Sequence, residues 1–378
     1  MRIVFTCWAW PSHLYAMVPL AWACRAAGHD VRVASQPALA PAIAASGLTG
    51  VAVGRDFDAV SAVREYTTSV ARPDGKAPRA LRMFHDLADA MLDGLLEFGR
   101  GWRPDLVVFD PTAWAGPVAA AALGVPAVRH LYGLDLLSRA GDALAGQLAP
   151  LAERAGAGPV DPFGVLTLDP CPAAVQVPTV RGRVPVRYVP HNGPGTPAPP
   201  WPATGRPRIC VTWGTTMARL GAGFFRAGDV ARALGELGAS VTVAVTGAQL
   251  PLLGDLPDDV RVLVDTPLHT VLPGCDLLVT HGGAGTMLTG LAAGVPQVAV
   301  PRLPDHAAHA RQLAAVGAGI AFGRDETPGP DRIREAAGRA LDPAFAARAG
   351  ELAAELAARR SPASVVTLLE EHALTPAS

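Results

Sequence analysis

The sequence predicts an α/β protein made of two doubly wound parallel sheets, one in each half of the chain. Three observations carry that expectation. Short, continuous apolar runs, the pattern of strands buried on both faces, alternate with helix-length segments along both halves. Glycine and proline punctuate nearly every junction between them. The alternation breaks once, at 191–207, where six prolines and three glycines mark a linker.

Each element follows from its residues. Arg2 to Cys7 is a first strand, and a turn holding Trp8, Trp10, Pro11 and Ser12 follows. A helix runs from His13 to Gly28 with Ser12 placed to cap it, and Asp30 to Ala34 is the second strand. A proline-flanked helix and a short strand at 50–53 continue the pattern. The polar stretch 61–80, with Arg72-Pro-Asp-Gly75, reads as a mobile loop. Residues 80–99 form an amphipathic helix whose stripe (Met83, Phe84, Leu87, Met91, Leu95) is core or lines an apolar pocket. A buried strand from Pro104 ends in Asp110; a helix at Trp114 to Gly124 and a strand at Val125 to Arg129 follow. A helix at 134–155 and strands at 165–168, 174–177 and 186–189 complete the first half.

The second half restarts with a strand at Arg208 to Trp213, a turn at Gly214-Thr215-Thr216 and a helix at 223–237. Strands are expected at 240–245, 260–264, 276–280 and 297–300, with helices at 286–293, 306–316, 331–341 and 344–358. A last helix fills 363–373 after Ser361-Pro362. The domains are therefore 1–195 and 206–361, facing a cleft.

Composition removes several function classes. At 378 residues with a formal charge of -1 and no Lys/Arg run, the chain offers no nucleic-acid surface. Five scattered cysteines without a CxxC read as reduced thiols of a cytoplasmic protein. Residues 1–6 form a strand rather than a signal peptide. The apolar stretch 113–128 is broken by Gly116, Pro117, Gly124 and Pro126, so no membrane span is expected.

The stretch from Asp276 to Thr286 carries the chemistry. A buried strand ends in His281 and runs through Gly282, Gly283 and Gly285 into a helix that Thr286 opens. Unpaired backbone N–H groups and the positive end of a helix dipole suit an anion, and His281 adds a donor. A diphosphate cradle is one reading; a plain strand-to-helix turn with a satisfied histidine is the other. His13 and Asp110 also lie at carboxyl ends of strands, where ligands bind in such sheets. They suit a general base oriented by an acid, or a helix-start histidine and a turn-capping aspartate. Together the two walls suggest transfer of a group from a nucleoside diphosphate to a nucleophile. No convincing metal-ligand cluster is present, and the scattered histidines have ordinary uses.

Nearly the whole chain resembles a known family. The residues that carry this are Ser12-His-Leu-Tyr-Ala-Met-Val-Pro-Leu-Ala-Trp22, Arg103-Pro-Asp-Leu-Val-Val-Phe-Asp110 and Arg129-His-Leu-Tyr-Gly133. They continue through Arg187-Tyr188, Asn192-Gly-Pro194, Thr212-Trp-Gly-Thr215, Pro267-Leu268, His281-Gly-Gly-Ala-Gly-Thr286 and Pro304-Asp305. The chain is similar to inverting glycosyltransferases of the GT-B fold. The likeness is to the actinomycete antibiotic type, which moves dTDP-activated deoxysugars onto macrolide or aromatic polyketide aglycones. The resemblance implies two Rossmann-like domains, an acceptor-binding one at 1–195 and a nucleotide-sugar-binding one at 206–361, with a C-terminal helix (362–378) crossing back to the first.

It also implies roles. His13 resembles the base that deprotonates the acceptor hydroxyl, and Asp110 its acidic partner. His281, Gly283, Gly285 and Thr286 resemble the diphosphate contacts, with Thr215 a further phosphate or sugar contact. Pro267 and Leu268 match the segment whose backbone faces the nucleobase. Leu268 replaces a Gln common in UDP-sugar users, and Asp265 stands where many relatives have Trp, which favours dTDP. Asp305 resembles a ligand of donor-sugar hydroxyls; His306 stands where Gln is usual and His309 where Asn is usual, which suits a deoxysugar. Trp10, Met83 and Tyr132 are the candidates for contact with a hydrophobic polyketide-type acceptor. No cofactor beyond the dTDP-sugar co-substrate and no metal is implied. A P450-like activator protein and a homodimer are left open, as are C-glycosyl transfer and a catalytically silent sugar-nucleotide-binding role.

Overall fold

The structure, a computed structural model, describes residues 1–68, 79–179 and 181–374. It comprises two compact units, Met1–Pro170 with Pro178–Arg187 and Arg359–Ser378, and Cys171–Val177 with Tyr188–Ala358.

In the first unit the elements run β1 (Arg2–Thr6), α1 (Pro11–Ala26), β2 (Asp30–Ser35), α2 (Ala40–Ala45), β3 (Gly50–Ala52), α3 (Ala59–Thr68) and α4 (Arg79–Trp102). They continue with β4 (Leu106–Phe109), α5 (Ala115–Leu123), β5 (Ala127–His130), α6 (Gly141–Ala155), β6 (Leu166–Asp169) and β7 (Val184–Pro185). The sheet is parallel, in the order β3-β2-β1-β4-β5-β6-β7. All four residues of β4 are buried, which is why the strand reads as an unbroken apolar run.

The second unit holds β8 (Arg208–Thr212), α7 (Met217–Leu220), α8 (Ala227–Gly235), β9 (Ser240–Val245), β10 (Arg261–Val264), α9 (Leu268–Val271) and β11 (Leu277–Thr280). After these come α10 (Ala284–Ala292), β12 (Gln297–Ala299), α11 (Pro304–Ala315), β13 (Gly319–Ala321), α12 (Pro330–Ala340) and α13 (Pro343–Ala358). Its sheet is also parallel, in the order β10-β9-β8-β11-β12-β13. In each sheet the order reverses once, between β1 and β4 and between β8 and β11. Those are the topological switch points where open α/β sheets hold ligands.

The chain then returns to the first unit as α14 (Pro362–Leu374). Val365, Val366 and Leu369 are buried in one cluster with Leu14, Met17, Val18 and Ala21 of α1. Each such side chain contributes roughly 1.5–3 kcal/mol when buried. His29 Nε2 lies 3.1 Å from Glu370 Oε1, and Arg187 N donates to Arg360 O at 2.7 Å, so polar contacts stitch the returning segment as well.

Several local expectations are corrected. Helix α1 starts at Pro11, and Trp10 is its N-cap without a side-chain bond. Ser12 therefore sits inside the first turn and caps nothing; Pro11, at the first helical position, presets φ instead. Helix α10 starts at Ala284, two residues before Thr286. The stretch 174–177 is a turn, because Val175 N and Gln176 N both donate to Pro172 O at 3.0 Å. The strand expected at 186–189 is only Val184–Pro185 with a single bridge from Val186 to Arg360. Part of the expected loop at 61–80 is helix α3; Arg72 to Gly75 lie outside the described residues.

The division between units also differs from the expected one at residue 195. Residues from Tyr188 onward belong to the second unit. Tyr188 Oη is 3.1 Å from Thr289 Oγ1, Asn192 Oδ1 accepts from His269 N at 3.0 Å, and Trp201 Nε1 donates to Val271 O at 2.8 Å. The proline-rich stretch is thus bound along the second unit.

Candidate active site

At the first switch point, β1 pairs with β4 so that Thr6 lies opposite Phe109. The residues that leave these strands, Cys7 to His13 and Asp110 to Thr112, are neighbours for that reason alone. His13 occupies the first turn of α1, and its Nδ1 lies 2.8 Å from Asp110 Oδ2. Asp110 is fully buried and His13 nearly so. The His13 ring is boxed by aromatics, with Trp8 at 5.0 Å and Tyr132 at 4.1 Å between centroids. Of the acceptor candidates, Tyr132 thus touches His13, and Trp10 stacks obliquely on Trp8 at 4.8 Å. Met83 is half-buried on α4 against the same apolar cluster as Trp10. His13, Asp110, Trp10 and Tyr132 thus gather beyond the carboxyl ends of β1, β4 and β5, and Met83 lies on α4.

Sequence reasoning missed two members of this group. Trp8 Nε1 donates to Thr112 Oγ1 at 2.8 Å, and Thr112 N donates to Asp110 Oδ1 at 2.9 Å. The second bond is the i to i+2 pattern of an aspartate turn, a signal that was present in Asp110-Pro-Thr112.

At the second switch point, β8 pairs with β11, Thr212 opposite Thr280, and β11 with β12. This aligns the exits at Trp213–Thr215, His281–Gly283 and Val300–Asp305. His281 is buried, with its ring edge-on to His306 at 4.8 Å. A Cβ on Gly283 would lie 2.4 Å from His281 Nε2, and one on Gly214 would lie 2.6 Å from Cε1, so two glycines make the slot for the ring. Gly282 carries the positive φ of the turn, 85°. Thr280 Oγ1 is 3.2 Å from His281 Nδ1 and accepts from Gly282 N at 3.4 Å. When the threonine hydroxyl donates to Nδ1, Nε2–H is the donor that His281 offers a ligand.

The remaining candidates distribute unevenly. Thr286 is half-buried in the first turn of α10 and Thr215 is exposed in the turn after β8. Asp305 is half-buried in the first turn of α11, its Oδ2 3.8 Å from His306 Nε2. His309 Nδ1 is 3.0 Å from Gly282 O. Pro267 is the N-cap of α9, which follows β10 at the edge of the sheet, and the Leu268 side chain packs into the core with Leu272 and Cys275. Leu268 can therefore face a base only through its backbone. Asp265 holds φ at 48° and accepts from Gly247 N at 3.2 Å, a turn-forming role. Tyr188, Asn192 and Thr289 were not given roles from the sequence. Thr289 Oγ1 and Tyr188 Oη donate to Gly285 O at 2.7 and 3.2 Å, and Asn192 Nδ2 donates to Thr289 Oγ1 at 3.2 Å, so the three brace the start of α10.

Gly285 has no positive φ, and a Cβ there would meet no protein atom within 4 Å. The backbone there does not require glycine, and the fold leaves the position open. Gly285→Val is expected to change melting temperature little, since the added Cβ meets no protein atom and valine forms helix better than glycine by roughly a few tenths of a kcal/mol. Gly283→Val is expected to displace His281 and to lower both melting temperature and nucleotide binding. Paired melts and calorimetry of the two variants check this; equal destabilisation would contradict it.

Burial pushes His281 well below the usual histidine range, with His306 and His309 adding to the shift. His309 is pushed down to about 4, chiefly by burial. An unfolded histidine titrates near 6.5, so protonation favours the unfolded chain. Stability from this group is complete above about pH 6.5 and is lost as pH falls towards about 4. Between pH 7.5 and pH 5 the loss is about 2 kcal/mol for His309 alone. His309→Asn, whose amide can still donate to Gly282 O, is expected to lose less melting temperature over that interval than the native chain. Parallel melts at the two pH values read this out; identical losses would place the acid sensitivity elsewhere.

Among the described residues no group of three or more His, Cys, Asp or Glu is placed to hold a metal ion. The Asp-x-Asp string Asp56-Phe57-Asp58 caps backbone instead: Asp56 accepts from Ala38 N at 2.8 Å and Asp58 from Ser61 N at 3.0 Å. Nor is any described helix long and apolar enough to cross a membrane.

Comparison with known proteins agrees with this architecture. The family described as erythromycin biosynthesis protein CIII-like matches through its N-terminal domain at residues 22–214 and its C-terminal domain at residues 229–372. The chain is 36% identical to a 3-alpha-mycarosylerythronolide B desosaminyl transferase of Saccharopolyspora erythraea, over 99% of this chain and 98% of the relative. It is 38% identical to the TDP-daunosamine transferase DnrS of Streptomyces peucetius, over 98% and 96%. Among solved structures, glycosyltransferase VinC in complex with dTDP superposes with a TM-score of 0.83 at 34% identity, covering 99% of each chain. The glycosyltransferase SnogD from Streptomyces nogalater gives 0.81 at 33% identity, again over 99% of both. The chain belongs to the erythromycin biosynthesis protein CIII-like family and is a glycosyltransferase of the GT-B fold.

Proposed function

We propose that this enzyme moves a deoxysugar from a dTDP-sugar to a hydroxyl of a polyketide-type aglycone, with inversion, in antibiotic biosynthesis. The observation that carries the reading is the content of the two switch points. One holds a histidine bonded to a buried carboxylate, and the other holds a histidine donor beside a glycine turn and a helix N-terminus. The first unit takes the acceptor and the second takes the nucleotide sugar. The acceptor O–H gives its proton to His13 Nε2, and the oxygen attacks the anomeric carbon on the face opposite the diphosphate. The bond from that carbon to the phosphate oxygen breaks as the new one forms. The departing dTDP is stabilised by His281 Nε2–H and the backbone N–H groups at the start of α10, with Gly285 and Thr286 beside it.

Relatives named as desosaminyl and daunosamine transferases, and a neighbour with dTDP bound, support the donor class. Asp305 takes a sugar hydroxyl, and His306 and His309 replace the hydrogen-bonding amides that a fully hydroxylated sugar uses. Trp10, Met83 and Tyr132 give the acceptor an apolar wall. Five free, buried cysteines suit the reducing cytoplasm.

The test is a donor-by-acceptor turnover screen read by mass. dTDP-deoxysugars and UDP-glucose are each offered to macrolactone and anthracyclinone aglycones. The expected product is aglycone plus one deoxysugar from dTDP donors. Turnover only with UDP-glucose overturns the donor assignment. Stabilisation by dTDP with no product from any pair overturns the catalytic one.

A further inference from the structure

We propose that Thr112 and Trp8 are positioning residues that hold the Asp110 carboxylate against His13, and through it keep the proton on one ring nitrogen; this rests on reading His13 as the base. The argument is a count of hydrogens. An indole N–H can only donate, so Thr112 Oγ1 accepts from Trp8 Nε1 at 2.8 Å. The threonine hydroxyl has one hydrogen left to place. Two acceptors are in reach, Asp110 Oδ1 in close contact and His13 Nδ1 at 3.4 Å. Sending it to Nδ1 would require a bare lone pair on that nitrogen. That lone pair would then face Asp110 Oδ2 at 2.8 Å with no hydrogen between them, which is repulsive. The hydroxyl therefore donates to Oδ1, and Nδ1–H donates to Oδ2. Nε2 is left with the lone pair that a general base needs.

The same pattern fixes geometry. Asp110 Oδ1 receives both Thr112 N, at 2.9 Å, and the Thr112 hydroxyl, so the carboxylate plane cannot swing. Its other oxygen stays aimed at His13. Trp8 is 3% exposed, Thr112 2% and Asp110 0%, so water does not compete for these bonds.

The experiment uses the full chain labelled with ¹⁵N-histidine and needs no ligand. Two-bond ¹⁵N–¹H spectra distinguish the tautomers, and His13→Ala assigns the His13 signals. The native chain and Thr112→Ser, which keeps the hydroxyl, are expected to show His13 as Nδ1–H. Thr112→Val is expected to show a mixture, and Trp8→Phe, which removes only the indole donor, a smaller shift the same way. With the donor–acceptor pair from the turnover screen, Thr112→Val should lower kcat roughly 10- to 100-fold. It should leave acceptor KM near native and add no further loss in a His13→Ala background. Pure Nδ1–H in Thr112→Val, or Nε2–H in the native chain, overturns the proposal. So does an additive loss in the His13→Ala background. The base reading fails separately, through retained turnover in His13→Ala.

Discussion

Replacing His13 by alanine is expected to lower turnover by about 10²-fold or more, the scale of losing a general base. dTDP affinity should stay near native. The prediction follows from where the residue sits. His13 belongs to the first unit, and the residues assigned to the nucleotide sugar all belong to the second. The change should therefore appear in kcat at saturating substrates, and calorimetry with dTDP should be flat. The fold should tolerate it, because Asp110 keeps both of its bonds from Thr112. A melt of the variant separates lost chemistry from lost structure. Near-native turnover would remove His13 from the mechanism.

The second large effect is expected at His281. Its ring, which burial holds well below the usual histidine range, is slotted between Gly214 and Gly283, and a neutral imidazole offers one N–H. A hydrogen bond from such a donor to a charged phosphate is worth about 1.5–3 kcal/mol. His281→Ala should therefore weaken dTDP binding roughly 10- to 100-fold. Alanine also leaves an empty slot, and the turn can relax into it. Thymidine, which has no phosphate, measures that shared distortion. Calorimetry of both ligands on both proteins isolates the phosphate contribution as the difference. Equal losses for dTDP and thymidine would mean that His281 shapes the turn without contacting diphosphate.

Much of the fold was legible because parallel strands buried on both faces write themselves as apolar runs. β4 and β11 read directly from Leu-Val-Val-Phe and Leu-Leu-Val-Thr. Reading failed where a short apolar run lacks neighbours to pair with. Val175 and Val177 look like strand residues, but Pro172 turns the chain before a ladder can form. It failed at helix starts too, since Ser12 is a good cap by type and the proline before it took the start of the helix. At the site, Asp110 and His281 stood out because they directly follow strands, and His13 because it opens the helix after one. Their partners did not. Trp8 and Thr112 are brought together by the β1–β4 pairing, across a separation of 104 residues. Thr289 braces Gly285 from inside a helix of otherwise ordinary small residues. Such contacts are set by topology, and no local pattern marks them.

The return of α14 to the first unit bears on how the enzyme is made and how it can be recombined. Val365, Val366 and Leu369 fill the same core as β1 and α1. During synthesis the first unit cannot complete that core until the whole second unit has left the ribosome. Its apolar α1 surface stays uncovered meanwhile, a window for aggregation and for chaperones. Chimeras that exchange donor specificity between relatives should therefore cut twice. One junction belongs near Arg187 and Tyr188, and the other near Ala358 and Arg359, so that the first unit keeps its own closing helix.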